Sequence, residues 1–273
     1  MSPSTVSRRF IKASEEKLKD LFERRLDGYE IVCLLLDGKY FQSDEMIIAL
    51  GITMEGEKII LGFVQSATEN SVVCREFLDE LLARGLKINE GILCIIDGSK
   101  GLRKGIEDTF GGYALVQRCQ WHKRENVLKY LPKGKQSVIR KKLQKAYEEP
   151  VYEVATRELL KVKEELHLIN QSAVKSLEEG FEETLTLHKL GLFNELGISL
   201  KTTNCIESVM ARIGEKTDKV DYWKNSNQKQ RWLATALLDL EPRLRKIKGH
   251  RYLYLLRLAL KKKLGLLIER RVA

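Results

Sequence analysis

The sequence predicts an α/β fold that carries a large all-helical insertion, and three observations predict it. Strand-length apolar runs between residues 30 and 119 follow the order strand, strand, strand, helix, strand, helix, strand. Two of these runs, "EMIIALGIT" and "EKIILGFVQS", are separated only by the short glycine-containing turn "MEGE", the pattern of a hairpin. After Trp121 the strand signals stop, and residues 122–190 become rich in Lys, Glu, Leu and Gln.

The chain opens on "SPSTVSRRF", where Pro3 after Ser2 suits the first turn of a short helix. "ASEEKLKDLFERRL" then reads as a separate amphipathic helix, with Leu18, Leu21, Phe22 and Leu26 near helical spacing. "EIVCLLLD" (30–37) is continuously apolar, as in a strand buried on both faces. The hairpin strands occupy 45–53 and 57–66. "NSVVCREFLDELLARG" (70–85) predicts a helix stopped by Gly85. "EGILCIID" (90–97) is a second buried strand, "GLRKGIEDTF" a short helix and "YALVQRC" (113–119) the last strand. Helices follow, with breaks at Pro132-Lys-Gly134 and at Pro150. From Asn204, the spacing of Ile206, Val209, Met210 and Ile213 predicts another helix. The expected divisions are 1–29, 30–127, 128–200 and 201–273: an opening helical part, a strand-rich part, a helical insertion and a closing helical part with a basic tail.

At 273 residues and 43% hydrophobic content the chain can build a substantial core, which excludes a mainly disordered protein. No apolar run approaches a membrane span, and "MSPSTVSRRF" lacks the apolar core of a signal peptide. Five scattered cysteines suit a reduced, cytoplasmic chain, with Cys33 and Cys94 as small core residues. The formal charge is +10 and is uneven. Lys123 to Lys145 holds nine basic residues against Glu125 alone, and the stretch from Glu241 holds eleven against two acids. Such blocks favour a polyanion, nucleic acid first, because neutralised phosphates release condensed counterions. Solvated helix faces are the plainer explanation.

Asp37 and Asp97 share a context: each closes a buried apolar run and precedes glycine. A carboxylate just past a strand's carboxyl end lies at the sheet rim, where open sheets bind ligands, and the glycine leaves room for close approach. Asp-Gly is also an ordinary turn dipeptide. Glu207 lies in "TTNCIESVM", where Asn204 can cap the helix and Glu207 reach back to it as in a capping box. Alternatively, Glu207 flanks the apolar face that packs on the sheet and meets the two aspartates. Three carboxylates at one rim suit two Mg²⁺ ions, hard cations that favour oxygen ligands.

Together, "LDGKYF", "IIDGSKGL", "QRCQWHKRENVLKYLP" and "TTNCIES" resemble the catalytic region of the Mutator-type bacterial transposases. That family of DDE enzymes has a ribonuclease H-like fold. "RWLATALLDLEPRLRKIKGH" is similar to the family's closing segment. The resemblance covers about residues 2 to 263, and the spacings of 60 residues from Asp37 to Asp97 and 110 to Glu207 leave room for the family's helical insertion. It implies a ribonuclease H-like mixed sheet with the first three strands antiparallel. It also implies Asp37, Asp97 and Glu207 as the catalytic, metal-binding triad for Mg²⁺ or Mn²⁺, two ions in all. The reaction implied is DNA strand cleavage and strand transfer by a homo-oligomer at the nucleoid. Cys119 and His122 carry over as the Cys-x-x-His signature, His122 contacting DNA or orienting a phosphate while Cys119 packs. Zinc is not expected there, since no second Cys/His pair lies at finger spacing. Lys123, Arg124, Lys141 and Lys142 are expected to contact DNA phosphates. Trp232 reads as core, and Trp121 and Trp223 as either core or base-stacking residues.

The family's members extend further at the amino end, so "SPSTVSR" is expected to be the recognition helix of a truncated helix-turn-helix, with poor selectivity for element ends. A ribonuclease H-like nuclease without strand transfer, and a non-catalytic DNA-binding relic, are the competing functions.

Overall fold

A computed structural model of the protein describes residues 2–41, 44–66 and 70–266. Arg270 and Arg271 of the basic tail lie outside the described residues.

Among the described residues the strands are β1 (Ile31–Phe41), β2 (Asp44–Thr53), β3 (Lys58–Ser66), β4 (Ile92–Ile96) and β5 (Ala114–Arg118). They form one mixed sheet in the order β3-β2-β1-β4-β5. β1 pairs antiparallel with β2, and β2 with β3; β4 runs parallel to both β1 and β5. The continuous apolar runs at β1 and β4 are explained by burial on both faces. Leu34 and Leu36 point into one core cluster, while Cys33 and Leu35 point into the other.

Helix α1 (Pro3–Glu23) lies on one face of the sheet, and α2 (Ser71–Ala83) and α3 (Lys100–Phe110) pack on the opposite face. Asn70 caps α2 by accepting from the Val73 amide, and Gly85 ends it at φ +101°, a conformation that favours glycine. The helical segment comprises α4 (Gln120–Lys129), α5 (Lys133–Glu148), α6 (Tyr152–His167), α7 (Gln171–Glu178), α8 (Phe181–Thr184) and α9 (Thr186–Lys189). Its apolar faces meet in a cluster drawn wholly from residues 127–185, with Leu143, Leu159, Leu166 and Leu177 at the centre. Helices α10 (Phe193–Leu200), α11 (Asn204–Thr217), α12 (Ser226–Leu240) and α13 (Leu253–Lys263) return to the α1 face of the sheet. Among the described residues no helix is long and apolar enough to cross a membrane.

The opening segment differs from expectation. Residues 3–23 form one unbroken helix, capped by Ser2, rather than a short helix followed by a second one. No glycine, proline or competing cap lies between Phe10 and Ala13 to break it. Its first half is also partnered. The Phe10 ring lies 5.1 Å from Trp232, and buried Ser14 accepts from the Arg231 guanidinium at 2.9 Å. Trp232 is half-buried and edge-on to buried Trp223.

Candidate active site

The parallel pairing of β1 and β4 brings the two aspartates side by side. Leu36 is the register partner of Ile96, so Asp37 and Asp97 are the next residues on neighbouring strands. β1 nevertheless continues to Phe41 along β2, so Asp37 lies within a strand rather than at its end. It occupies the place where β4 stops and the β1–β2 ladder runs on.

α11 approaches the same rim. Val209 and Ile213 on its inner stripe enter the core below the sheet, which brings Glu207 above them to the edge. Lys39 fastens the contact, its Nζ donating to the Met210 carbonyl at 2.9 Å. Asp37, Asp97 and Glu207 line one cleft of about 500 Å³, together with Gly38, Lys39, Tyr40, Glu45 and His122. A larger concavity of about 710 Å³ near α3, β5 and α9 contains ionic groups that already pair with one another, such as Arg103 with Glu183. Asp37, Asp97 and Glu207 belong to the smaller cleft.

Each aspartate is held by the main chain. Asp37 Oδ1 accepts from the Gly38 amide and Asp97 Oδ1 from the Ser99 amide, both at 2.9 Å. Asp37 is only 8% exposed. Burial, then the negative charges of Asp97 and Glu207, push its pKa up to about 7, against the opposing pull of His122 and the Gly38 amide. The cleft gathers the carboxylates of Asp37, Asp97 and Glu207 in one place, with His122 beside Glu207. Among the described residues neither Asp37 nor Asp97 joins an ion pair with a basic side chain. An all-oxygen donor set of this kind fits a hard divalent cation.

Each of the two glycines has a local structural reason. Gly98 has φ +125°, so the turn itself requires it, and the Arg118 side chain lies over it. Gly38 is ordinary strand backbone, but a Cβ there would lie 2.5 Å from Glu45 Oε1. The missing side chain makes room for a fourth carboxylate. Glu45, on β2, is 5% exposed, and its Oε2 has no hydrogen-bond partner. Burial and the nearby Asp97 raise its pKa, against a hydrogen bond from Tyr40. Gly38→Ala will therefore displace Glu45 and lower stability by about 1–3 kcal/mol, a typical cost of overpacking. Glu45→Ala in the same chain should recover most of that loss in thermal melts. An additive double mutant would contradict the contact.

Glu207 is held by Thr203, not by Asn204. Thr203 stands at the N-cap position of α11, its side chain capping no amide, and Asn204 is already the first helical residue. The Thr203 hydroxyl donates to Glu207 Oε1 at 2.6 Å and also lies 3.3 Å from His122 Nδ1 and 3.4 Å from Cys119 Sγ. His122 Nε2 lies 3.8 Å from Glu207 Oε1. Burial opposes charge on His122, but its hydrogen bond with Cys119 and the negative charges of Cys119, Glu207 and Asp37 outweigh burial and push its pKa up to about 9. Burial likewise opposes the Cys119 thiolate, yet hydrogen bonds from His122 and Thr203 hold the thiol below its ordinary value. Trp121 is 45% exposed beside the His122 ring.

The basic residues divide. Lys123 is 3% exposed, and its ammonium donates to the Ser176 and Glu179 carbonyls at 2.6 Å each, closing the carboxyl end of α7. It is turned inward, against the expectation of a surface side chain, because it stands four residues before buried Val127 on the inner stripe of α4. Arg124 is half-buried against Glu125 and Gln144. Lys142 is exposed and paired with Glu165 at 2.6 Å, and Lys141 is exposed on the same helix. Lys123→Met should thus cost about 1–3 kcal/mol of stability by orphaning two carbonyls. It should leave the salt dependence of DNA binding unchanged, whereas Lys141→Glu with Lys142→Glu should flatten it. A weaker salt slope for Lys123→Met in a binding titration would show the opposite arrangement.

Sequence reasoning missed Thr203 and Glu45. "TTN" offers three successive capping residues, and only the helix start selects among them. Glu45 reaches the site through the β1–β2 register, which residue type alone does not reveal.

A mixed sheet flanked by helices, with acidic residues from two adjacent strands and a helix around one cleft, defines a class of α/β protein with a carboxylate site. The sequence model described as "Transposase, Mutator family" matches residues 1–245, and the chain belongs to that family. It is 31% identical over 245 residues to the transposase for insertion sequence element IS905 of Lactococcus lactis, covering 87% of this chain and 61% of that protein. It is 26% identical over 253 residues to the transposase for IS256 in transposon Tn4001 of Staphylococcus aureus, covering 86% and 63%. The transposase for IST2 of Acidithiobacillus ferrooxidans is 26% identical over 227 residues, covering 80% and 74%. The chain therefore spans about three-fifths of the length of the first two relatives.

Proposed function

We propose that the chain is the catalytic part of a DDE transposase with a ribonuclease H-like fold, which cleaves DNA strands and transfers them to a new site. The observation that carries this reading is the cleft shared by Asp37, Asp97 and Glu207, in which Asp37 is pushed up to about 7 by burial and its carboxylate neighbours. The strand order β3-β2-β1-β4-β5, three antiparallel strands followed by two parallel ones, supports the ribonuclease H-like assignment. Family membership supports DNA as the substrate.

Asp37, Asp97 and Glu207 would hold Mg²⁺ or Mn²⁺, two ions in all. When bound, such a pair supplies charge stabilisation to the attacking and leaving oxygens of an in-line displacement at phosphorus. The main-chain amides of Gly38 and Ser99 orient the aspartates. His122, protonated at neutral pH and beside Glu207, is placed to donate to a phosphate oxygen. Water attacks first; a freed 3′-hydroxyl then attacks a second phosphodiester in the same site. Lys141 and the exposed basic side chains around it supply phosphate affinity without sequence information. The active form would be a homo-oligomer on DNA of the nucleoid.

The test incubates the purified chain with labelled DNA bearing the element's ends, in Mg²⁺ or Mn²⁺. Nicks at the ends followed by joined products are the expected result. Nicks without joined products would reassign the chain as a nuclease, and intact DNA under both metals would leave only the binding relic.

A further inference from the structure

We infer that Thr203 is a positioning residue of this site, its hydroxyl fixing the Glu207 carboxylate and tying it to His122 and Cys119. The inference rests on the reading of Glu207 as a metal ligand. Thr203 is fully buried. A threonine hydroxyl has one proton, and its closest acceptor here, the only carboxylate, is Glu207 Oε1 at 2.6 Å. Cys119 Sγ at 3.4 Å is a second, more distant acceptor for that proton, and an oxygen lone pair faces His122 Nδ1 at 3.3 Å.

The main chain reinforces the link. The Thr203 carbonyl accepts from the amides of Ile206 and Glu207, at 2.9 and 3.0 Å. The Gln120 amide donates to the Lys201 carbonyl at 3.0 Å, which joins the start of α4 to the approach of α11. One hydroxyl thus sets the relative position of two elements that are 81 residues apart at His122 and Thr203.

The same geometry answers whether Cys119, His122 and Glu207 form a transition-metal site. Their ligand atoms lie within 4.8 Å of one another. The Thr203 oxygen lies within hydrogen-bond distance of one atom of each, so the three side chains are already joined through a hydroxyl. The trio is a hydrogen-bonded brace for the carboxylate cleft.

The test compares Thr203→Val, which keeps the shape and removes the hydroxyl, with Thr203→Ser, which keeps the hydroxyl. Mn²⁺ is titrated into each purified chain and followed by thermal unfolding, with strand cleavage measured in parallel. Loss of an outer partner of a metal ligand typically costs about 10–100-fold, so Thr203→Val should raise the half-saturating Mn²⁺ by that factor and slow cleavage similarly. Thr203→Ser should retain both. Unchanged Mn²⁺ response in Thr203→Val, with Asp97→Asn inactive, would overturn the inference and leave the metal-site reading standing. Normal cleavage by Asp97→Asn would overturn the reading and the inference with it. Should Thr203→Val fail to fold, Thr203→Ser decides alone: a retained Mn²⁺ response supports the hydroxyl's role, and a lost one overturns it.

Discussion

Asp37→Asn and Glu207→Gln will each lower metal-dependent strand cleavage by at least about 10³-fold, while affinity for DNA stays equal or rises. Both substitutions keep the side-chain shape and remove an anionic oxygen donor. Asp37, Asp97 and Glu207 are three such donors in the cleft, and an amide is a poor replacement as ligand to a hard divalent cation. A catalytic ion supplies several kcal/mol of transition-state stabilisation, and each 1.36 kcal/mol is tenfold in rate. DNA affinity moves the other way because a carboxylate beside a phosphate repels it. Single-turnover cleavage and fluorescence anisotropy on the same preparations separate the two effects. Cleavage at the normal rate by either variant would remove that residue from the site.

The convergence of these carboxylates was legible because the pattern that marks a buried parallel strand also fixes where it stops. Two apolar runs ending in Asp-Gly, separated by one helix and two hairpin strands, become neighbours in a single sheet. Helix α11 was legible from its apolar stripe, which places Glu207 on the flank facing the rim. What was not legible depends on contacts between distant segments. Whether Lys123 faces phosphate or protein is decided by α7, 53 residues further on at Ser176. Gly38 has its reason in Glu45, across a hairpin whose register residue types do not specify. The opening segment was read as two helices rather than one because its partners, Arg231 and Trp232, lie more than 200 residues away. Local sequence reports propensity and periodicity; it is silent on which buried polar group will be satisfied by which remote carbonyl or hydroxyl.

The inactive Asp37→Asn chain should also be more stable than the native one in metal-free buffer at pH 8. Asp37 is nearly buried, and its pKa of about 7 means that folding opposes its ionisation. For an acid raised in the folded state, the neutral form is favoured by folding. That benefit is complete below the ordinary value of 3.8 and is lost as pH rises through about 7. Above pH 7 the fold carries the full cost of a buried charge beside Asp97 and Glu207, on the order of 4 kcal/mol. Asparagine removes the charge and keeps an acceptor for the Gly38 amide. A gain of about 2–4 kcal/mol corresponds to several degrees in the melting temperature of a chain this size. The gap between variant and native protein should narrow as pH falls from 8 towards 4, since native Asp37 is then protonated. Saturating Mn²⁺ should close or reverse it at pH 8, because only the native chain gains from binding the cation. Equal melting temperatures for the two proteins at pH 8 without metal would mean that Asp37 ionises at no cost, and the proposed cation site would then lack its concentrated negative charge.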